Sequence, residues 1–285
     1  MAFFSHFGRL FAVVILSLSY IANPSRATDV RDPNVIPHID EKGRFGYQSF
    51  LQGEGHRAFT IASGGAWAWS SGQASAEAAE QDALKNCAQY TGSVCITYAI
   101  DDDVVFDWDA WTASWDLNME KEAVATAPVG VIRGTRFPDL SVTAPDGKAI
   151  TLSDLLGKVV FLHVWGSWCT PCQKELPELQ KLYDAFEDQE NIVFVLIQTR
   201  EPISKSRRWA KRKDIDLPFY DSGSTERKDA MFRMANGSRI HDRRIAARFP
   251  SSYVLDANGI VAFSHVGAIH GWPQYEPLIR HIIPR

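Results

Sequence analysis

Residues 161–175 read FLHVWGSWCTPCQKE, and this stretch constrains the fold more than any other. The run from Val159 to Trp165 is almost continuously apolar, which marks a strand buried on both faces. It breaks at Gly166-Ser167, and Cys169 and Cys172 follow at once, with a helical pattern beyond them. A pair at this spacing is a redox couple, half of a metal site, or a structural disulfide. Structural zinc takes four ligands, and the nearest candidates, His163 and His265, are isolated in the sequence. A structural bond across two intervening residues closes a strained small ring, and strained bonds tend to be the labile ones. The redox reading fits the local physics best. Where strand turns into helix, the Cys169 sulfur faces unpaired amides and the positive end of the helix, both of which favour thiolate over thiol. Cys172 falls about one turn further in, close enough to close the ring. Pro171 lacks an amide where none is needed, and its fixed φ suits a first helical turn.

The chain has 285 residues, enough for two ordinary domains, and its composition is that of a globular protein. A net charge of -4 gives no whole-chain argument for nucleic acid or membrane surfaces. Its distribution is uneven: residues 29–127 hold 16 Asp and Glu against 6 Lys and Arg, and residues 128–285 hold 18 against 22. An acidic front and a mildly basic back are two modules that either dock on each other or are solvated independently. At the N-terminus Arg9 precedes LFAVVILSLSYIA (10–22), 13 residues long. A spanning helix needs roughly 20, and Ser25 and Ala27 suit the −3 and −1 positions of a signal-peptidase site. A cleaved leader over residues 1–27 is therefore expected, with an exported, periplasmic product. An uncleaved leader would leave the protein membrane-anchored. In an oxidising compartment four cysteines imply two pairs, and proximity favours Cys87 with Cys95 and Cys169 with Cys172.

Residues 28–127 read as a small acidic α+β module with a Trp-rich linker. Residues 29–60 look irregular, Trp67–Ser70 alternates like a strand, Ser75 caps a helix over 76–89, and Val94–Ile100 is a strand. A Cys87–Cys95 bond would tie helix end to strand start in a structural role. Trp108, Trp111 and Trp115 share one helical face, either packing on a domain or presenting a partner-binding segment. Residues 128–285 form the second module. It shows a hairpin around Pro145-Asp146-Gly147-Lys148, buried strands at 159–165 and 191–198, and helices at 173–189 and 203–213. Further on come a short strand at 217–220, a helical fragment near 229–232, a helix near 240–247, a hairpin around Asp256-Ala257-Asn258-Gly259 and a last helix from Pro273.

Trp168-Cys169-Thr170-Pro171-Cys172 after FLHVWGS, preceded by PDGKAITLSDLLGK, resembles the thioredoxin superfamily, and more narrowly its exported TlpA/ResA type of thiol-disulfide oxidoreductase. The resemblance runs from about Val129 to the C-terminus. It implies an α/β thioredoxin-like fold, a central mixed sheet flanked by helices, beside the small front module. It also implies that Cys169 is the nucleophile and Cys172 the resolving cysteine. Glu175 falls on an acidic position that tunes the thiols and passes protons; the alternative is a solvated first-turn glutamate. Pro177 matches a helix-kinking proline, and Pro250 matches the cis-proline facing the cysteines, which makes Phe249 before it a substrate contact. Trp168, Thr170 and Pro171 complete the expected substrate-binding set. His163 departs from the pattern, as either a satisfied core histidine or a second proton-handling group. The stretch 222–243, rich in arginine, is longer than the resemblance implies.

The expected activity is thiol-disulfide exchange, in the reducing direction, through a mixed disulfide. The redox group is the Cys169–Cys172 pair, with no separate cofactor and no metal. Partners are protein disulfides and, from the resemblance, a membrane-bound thiol donor. Two alternatives stand beside it. One is copper handling on the same scaffold, for which Met231, Met234 and His241 are the candidates. The other is partner binding through the front module. The basic cluster at Lys205–Lys213 reads as a solvated helix face or a contact for the acidic front, not as a nucleic-acid site.

Overall fold

The computed structural model describes residues 30–284, so the leader expected over 1–27 lies outside the described residues. Among the described residues no helix is long and apolar enough to cross a membrane.

The front of the chain is more regular than its sequence indicates. Residues 29–60, expected to be irregular, contain the helix α1 (Glu41–Leu51) and most of the strand β1 (His56–Ala62). Asp40 caps α1 by accepting from the Gly43 amide. Gly43 and Gly46 weaken the local helical signal, yet both are demanded by a distant indole. A Cβ on Gly46 would lie 2.2 Å from the Trp67 ring, and one on Gly43 2.7 Å from Ile39 and 3.0 Å from Trp67. Trp67 opens β2 (Trp67–Gln73), after which Ser75 caps α2 (Ala76–Ala88) by accepting from Ala78. With β3 (Cys95–Ile100) and β4 (Asp103–Val104), the strands form an antiparallel sheet of order β2-β1-β3-β4. Small side chains let α2 lie close on it, with Ala79 and Ala83 against Ala58. Cys87 and Cys95 are bonded, joining the last turn of α2 to the start of β3.

The short helices α3 (Trp108–Ala113) and α4 (Lys121–Ala125) follow. The tryptophans of this segment divide. Trp111 and Trp115 are buried, whereas Trp108 is 60% exposed and edge-on to Phe106.

The back of the chain begins with the hairpin β5 (Ser141–Thr143) and β6 (Ala149–Thr151). The strands β7 (Val159–Trp165), β8 (Ile192–Gln198), β9 (Phe219–Tyr220), β12 (Ser251–Leu255) and β13 (Val261–Val266) form one mixed sheet. Its order is β13-β12-β7-β8-β9, with β7, β8 and β9 parallel and β12 antiparallel to both its neighbours. The helix α5 (Thr170–Asp184), capped by Cys169, starts three residues earlier than its periodicity indicates, and it ends five residues earlier. The helix α6 (Ile203–Arg212) crosses from β8 to β9. Two of its basic side chains have local partners: Lys205 pairs with Glu201 at 3.4 Å and Arg207 donates to the Phe219 carbonyl. The helical fragment expected near 229–232 is instead the strand β10 (Met231–Arg233), paired with β11 (Arg239–His241) around Asn236-Gly237. Gly237 has φ 82°, the left-handed conformation such a turn needs. α7 (Asp242–Ile245) is only one turn long, and α8 (Glu276–Ile282) ends the fold after a 3-10 turn over Trp272–Tyr275.

One apolar cluster joins front and back, running from Tyr47, Phe59 and Trp111 through Tyr275 and Trp272 to Phe161 and Cys172. His38 sits at the junction, stacked on Tyr275 at 4.1 Å between the carbonyls of Ser63 and Gln274. Arg133 donates to the carbonyls of Ser114, Trp115, Asp116 and Ala262, and His265 reaches the Gly64 carbonyl. The junction is thus built from aromatic rings and backbone carbonyls, with a side-chain hydrogen bond between His281 and Asp116 at 2.7 Å.

The glycines of α1 allow a direct check. Alanine is favoured over glycine inside a helix by about 1 kcal/mol, but forcing a methyl into packed space costs about 1–3 kcal/mol. Gly46→Ala is expected to lower the urea midpoint, because its Cβ would meet the rigid end of Trp67. A raised midpoint would show that α1 does not lie against that indole.

Candidate active site

β7 explains where the site lies. All seven of its residues are buried, and alternation sends Val159, Phe161, His163 and Trp165 to one face and Val160, Leu162 and Val164 to the other. The first face is the one α5 covers, so His163 points under that helix. β7 ends at Trp165, and Gly166 permits a tight return, since a Cβ there would lie 2.3 Å from the Trp168 indole. The loop is pinned from below by a residue the sequence did not single out. The buried Glu201 carboxylate accepts from the Ser167 amide at 2.5 Å, the Ser167 hydroxyl at 2.6 Å and the Ser206 hydroxyl at 2.7 Å. Trp168 donates its indole N–H to the Thr199 carbonyl at 2.9 Å. Both anchors stand just past the C-terminal end of β8, the neighbouring parallel strand, where open α/β sheets build their sites.

Cys169 and Cys172 are joined by a disulfide at the N-terminus of α5, with the Cys172 amide donating to the Cys169 sulfur at 3.2 Å. Both are buried, while Thr170 and Pro171 between them are exposed and Trp168 is 39% exposed. Across from them the Phe249-Pro250 peptide is cis. Ser251 pairs with Val164 of β7, and continuing that register sets Pro250 level with Trp165. The Phe249 ring meets the Trp168 ring edge-on at 5.3 Å. The fold therefore gathers Trp168, Cys169, Cys172, Phe249 and Pro250 at one end of the sheet. Cys87 and Cys95 lie apart, on α2 and β3 of the front module.

Glu175 stands one turn beyond Cys172 on the inward face of α5, and it is not a solvated first-turn glutamate: it is 1% exposed. Its Oε2 accepts from the Ile269 amide at 2.8 Å, and its Oε1 lies 3.3 Å from Nε2 of His163. Burial pushes the Glu175 carboxyl up to about 8, with the Ile269 amide and the nearby Trp272 side chain opposing. Burial pulls His163 down to about 3. At neutral pH the pair is a protonated acid beside a neutral imidazole, whose Nδ1 is 2.9 Å from the Ser252 hydroxyl. A proton passed between the two leaves the net charge of the pair unchanged, whereas one passed on to a third group leaves a carboxylate beside the neutral imidazole. The Ile269–Trp272 segment and Ser252 were not legible as parts of the site, because they reach it from distant points of the chain.

The candidates for metal handling do not converge on the cysteines. Met231 and His241 face each other across β10 and β11, and Met234 packs against the second core. Among the described residues no group of three or more His, Cys, Asp or Glu is arranged to hold a metal ion.

Comparison with known proteins agrees with this geometry. The AhpC/TSA family profile matches residues 133–264. The thiol-disulfide oxidoreductase ResA of Bacillus thuringiensis subsp. konkukian is 34% identical over 151 residues, 53% of this chain and 79% of that protein. The thioredoxin-like protein YneN of Bacillus subtilis is 28% identical over 142 residues, 50% of this chain and 75% of that protein. The crystal structure of StoA from Bacillus subtilis aligns with TM-score 0.38 and 20% identity, over 50% of this chain and 98% of that one. The profile covers the residues that carry the disulfide and the cis-proline, and with 34% identity over 79% of ResA the chain belongs to the ResA family of thiol-disulfide oxidoreductases, with a thioredoxin-like fold.

Proposed function

We propose that this oxidoreductase works as a reductant of protein disulfides, with Cys169 as nucleophile, Cys172 as resolving cysteine and Glu175 as the internal proton store. The observation that carries this reading is a carboxyl, 1% exposed, buried one turn behind the resolving cysteine on the inward face of α5. When a thiol donor reduces the pair, two electrons enter and the Cys169–Cys172 bond opens. Cys169 stays a thiolate at the helix N-terminus, and Cys172 takes the proton of Glu175. The carboxylate left behind keeps the Ile269 amide as its donor. In the forward half, the Cys169 thiolate attacks one sulfur of a substrate disulfide. That bond breaks, a substrate thiolate leaves, and a mixed disulfide forms. Glu175 takes the proton back from Cys172, whose thiolate attacks Cys169, releases the second substrate thiolate and restores the protein disulfide. Trp168, Thr170, Pro171, Phe249 and Pro250 form the surface that meets the substrate segment. The leader read over residues 1–27 and the resemblance to exported enzymes support a periplasmic protein recharged by a membrane-bound thiol donor. The Cys87–Cys95 bond is structural in this reading, and residues 30–127 form a module docked beside the redox domain.

Cys172→Ser is expected to accumulate a covalent adduct between Cys169 and a substrate protein, visible by non-reducing electrophoresis and mass spectrometry. No adduct, together with failure of the reduced wild type to open a protein disulfide, would refute the reading.

The Glu175–His163 pair also dictates a pH profile. The folded chain keeps the Glu175 proton between the ordinary 4.5 and about 8, where the unfolded chain has released it, so stability falls as pH rises through that window. It excludes a proton from His163 between the ordinary 6.5 and about 3, where the unfolded chain accepts one, so stability falls as pH drops through that window. The two slopes oppose each other between 4.5 and 6.5, which leaves a flat maximum there. Urea midpoints of the oxidised protein should show Glu175→Gln removing the decline above about 6.5 and His163→Asn removing the loss below about 4.5. A constant difference between wild type and Glu175→Gln from 6.5 to 8 would mean the carboxyl is already ionised in the fold.

A further inference from the structure

One wall beside the disulfide is cationic as well as aromatic. The guanidinium carbon of Arg200 lies 5.2 Å from the centroid of Phe249 and 5.9 Å from that of Trp168. That of Arg243 lies 4.7 Å from Phe249. These side chains arrive from separate segments: the end of β8, the turn before α5, α7 and the residue before cis-Pro250. Arg200 is held firmly. Its backbone sits at φ 65°, a conformation that costs a non-glycine residue energy, and its guanidinium grips the buried Asp242 through two bonds of 2.7 and 3.1 Å. Asp242 therefore fixes Arg200 and offsets its charge. Arg243 is different. It is exposed, it donates to the Ala247 carbonyl at 2.8 Å, and among the described residues no carboxylate lies within ion-pair distance of it. Arg248, exposed and next to Phe249, adds a further positive charge, and Asp229, against His241 at 3.7 Å, is the nearby exposed acid.

A guanidinium lying over a ring is weakly hydrated and has its face covered; in Arg243 the Ala247 carbonyl engages Nη1, which leaves the Nε–Nη2 edge for a ligand. That edge fits a carboxylate in a bidentate, charge-assisted pair. We infer that the Arg243–Phe249–Arg200 wall selects substrates carrying Asp or Glu close to the reactive cysteine, so that this enzyme acts on disulfides in acidic segments. The inference rests on the disulfide-exchange reading above and names its substrate class. Phe249 aligns the peptide, Arg200 holds Phe249 and Trp168 in place, and Arg243 pairs with the acidic side chain. Like other charges at the rim of an interface, Arg243 acts chiefly on the rate of encounter and on its salt dependence.

The test is a single-turnover assay of the fully reduced protein with three peptides of one sequence. Each contains one internal disulfide, flanked by Glu, Gln or Lys. In each reaction the Cys169 and Cys172 thiols are oxidised to the disulfide as the disulfide of the peptide opens to two thiols, so no other reductant enters. At about 50 mM salt the Glu peptide is expected to react about tenfold faster than the Lys peptide, with the difference shrinking to near unity at about 500 mM. Arg243→Gln should level the three rates at low salt and Arg243→Glu should reverse their order, read as the ratio of Glu-peptide to Lys-peptide rate within each variant. Equal rates for the three peptides on the wild type would overturn the inference and leave the disulfide-exchange reading standing. So would Arg243→Glu slowing all three alike, since that marks an effect on the cysteines rather than on substrate choice. A reduced wild type that opens none of the peptides overturns both.

Discussion

Complete burial of β7 is the constraint to which every part of the site is registered. The strand lies between β12 and β8 with all seven residues covered, so neither face can slip without moving a core. Its C-terminal end fixes where α5 begins, and with it the position of the Cys169 sulfur at unpaired amides. Its alternation aims His163 at the underside of that helix, where Glu175 lies. Pairing with β12 sets cis-Pro250 level with the end of the strand, and pairing with β8 brings Thr199, Arg200 and Glu201 beside the cysteine loop. Few of these residues are neighbours in sequence. They meet because one strand has no freedom.

The same geometry links the front of the chain to the chemistry. The segment that supplies the Ile269 amide to Glu175 continues into Trp272 and Tyr275, and Tyr275 stacks on His38. Trp111 and Trp115 pack around that histidine, at ring distances of 5.2 and 6.5 Å. Burial of Glu175, which keeps its proton on at neutral pH, therefore depends on a segment held from its far side by residues 30–127. The acidic and basic halves of the chain meet through rings and carbonyls, which hold position without the screening that weakens exposed ion pairs.

How much could be read in advance depended on whether the cause was local. The continuous apolar run of β7, the Asp256–Gly259 turn and the Ser75 cap of α2 carry their instructions within a few residues, and the structure has a strand, a hairpin and a helix there. α1 escaped because Gly43 and Gly46 answer to Trp67, on a strand some twenty residues later. β10 escaped because Met231–Arg233 gains its partners from β11 and, next to it, from a bridge between Leu140 and Met234. At the site, the cysteine pair and its proline were legible as chemistry. The state of Glu175 was not, since a glutamate in a first turn is solvated unless something covers it.

The order of residues alone determined that a buried strand would run into a helix with two sulfurs at its mouth, because apolar continuity, a Gly-Ser break and a proline are local signals. Only the tertiary structure decided that Glu175 is a buried acid rather than a surface carboxylate, that His163 faces it, and that Arg200 and Arg243 converge on Phe249. Those outcomes depend on which distant segments exclude water from a group or place charge beside it, and desolvation is a property of the packed whole rather than of any stretch of chain.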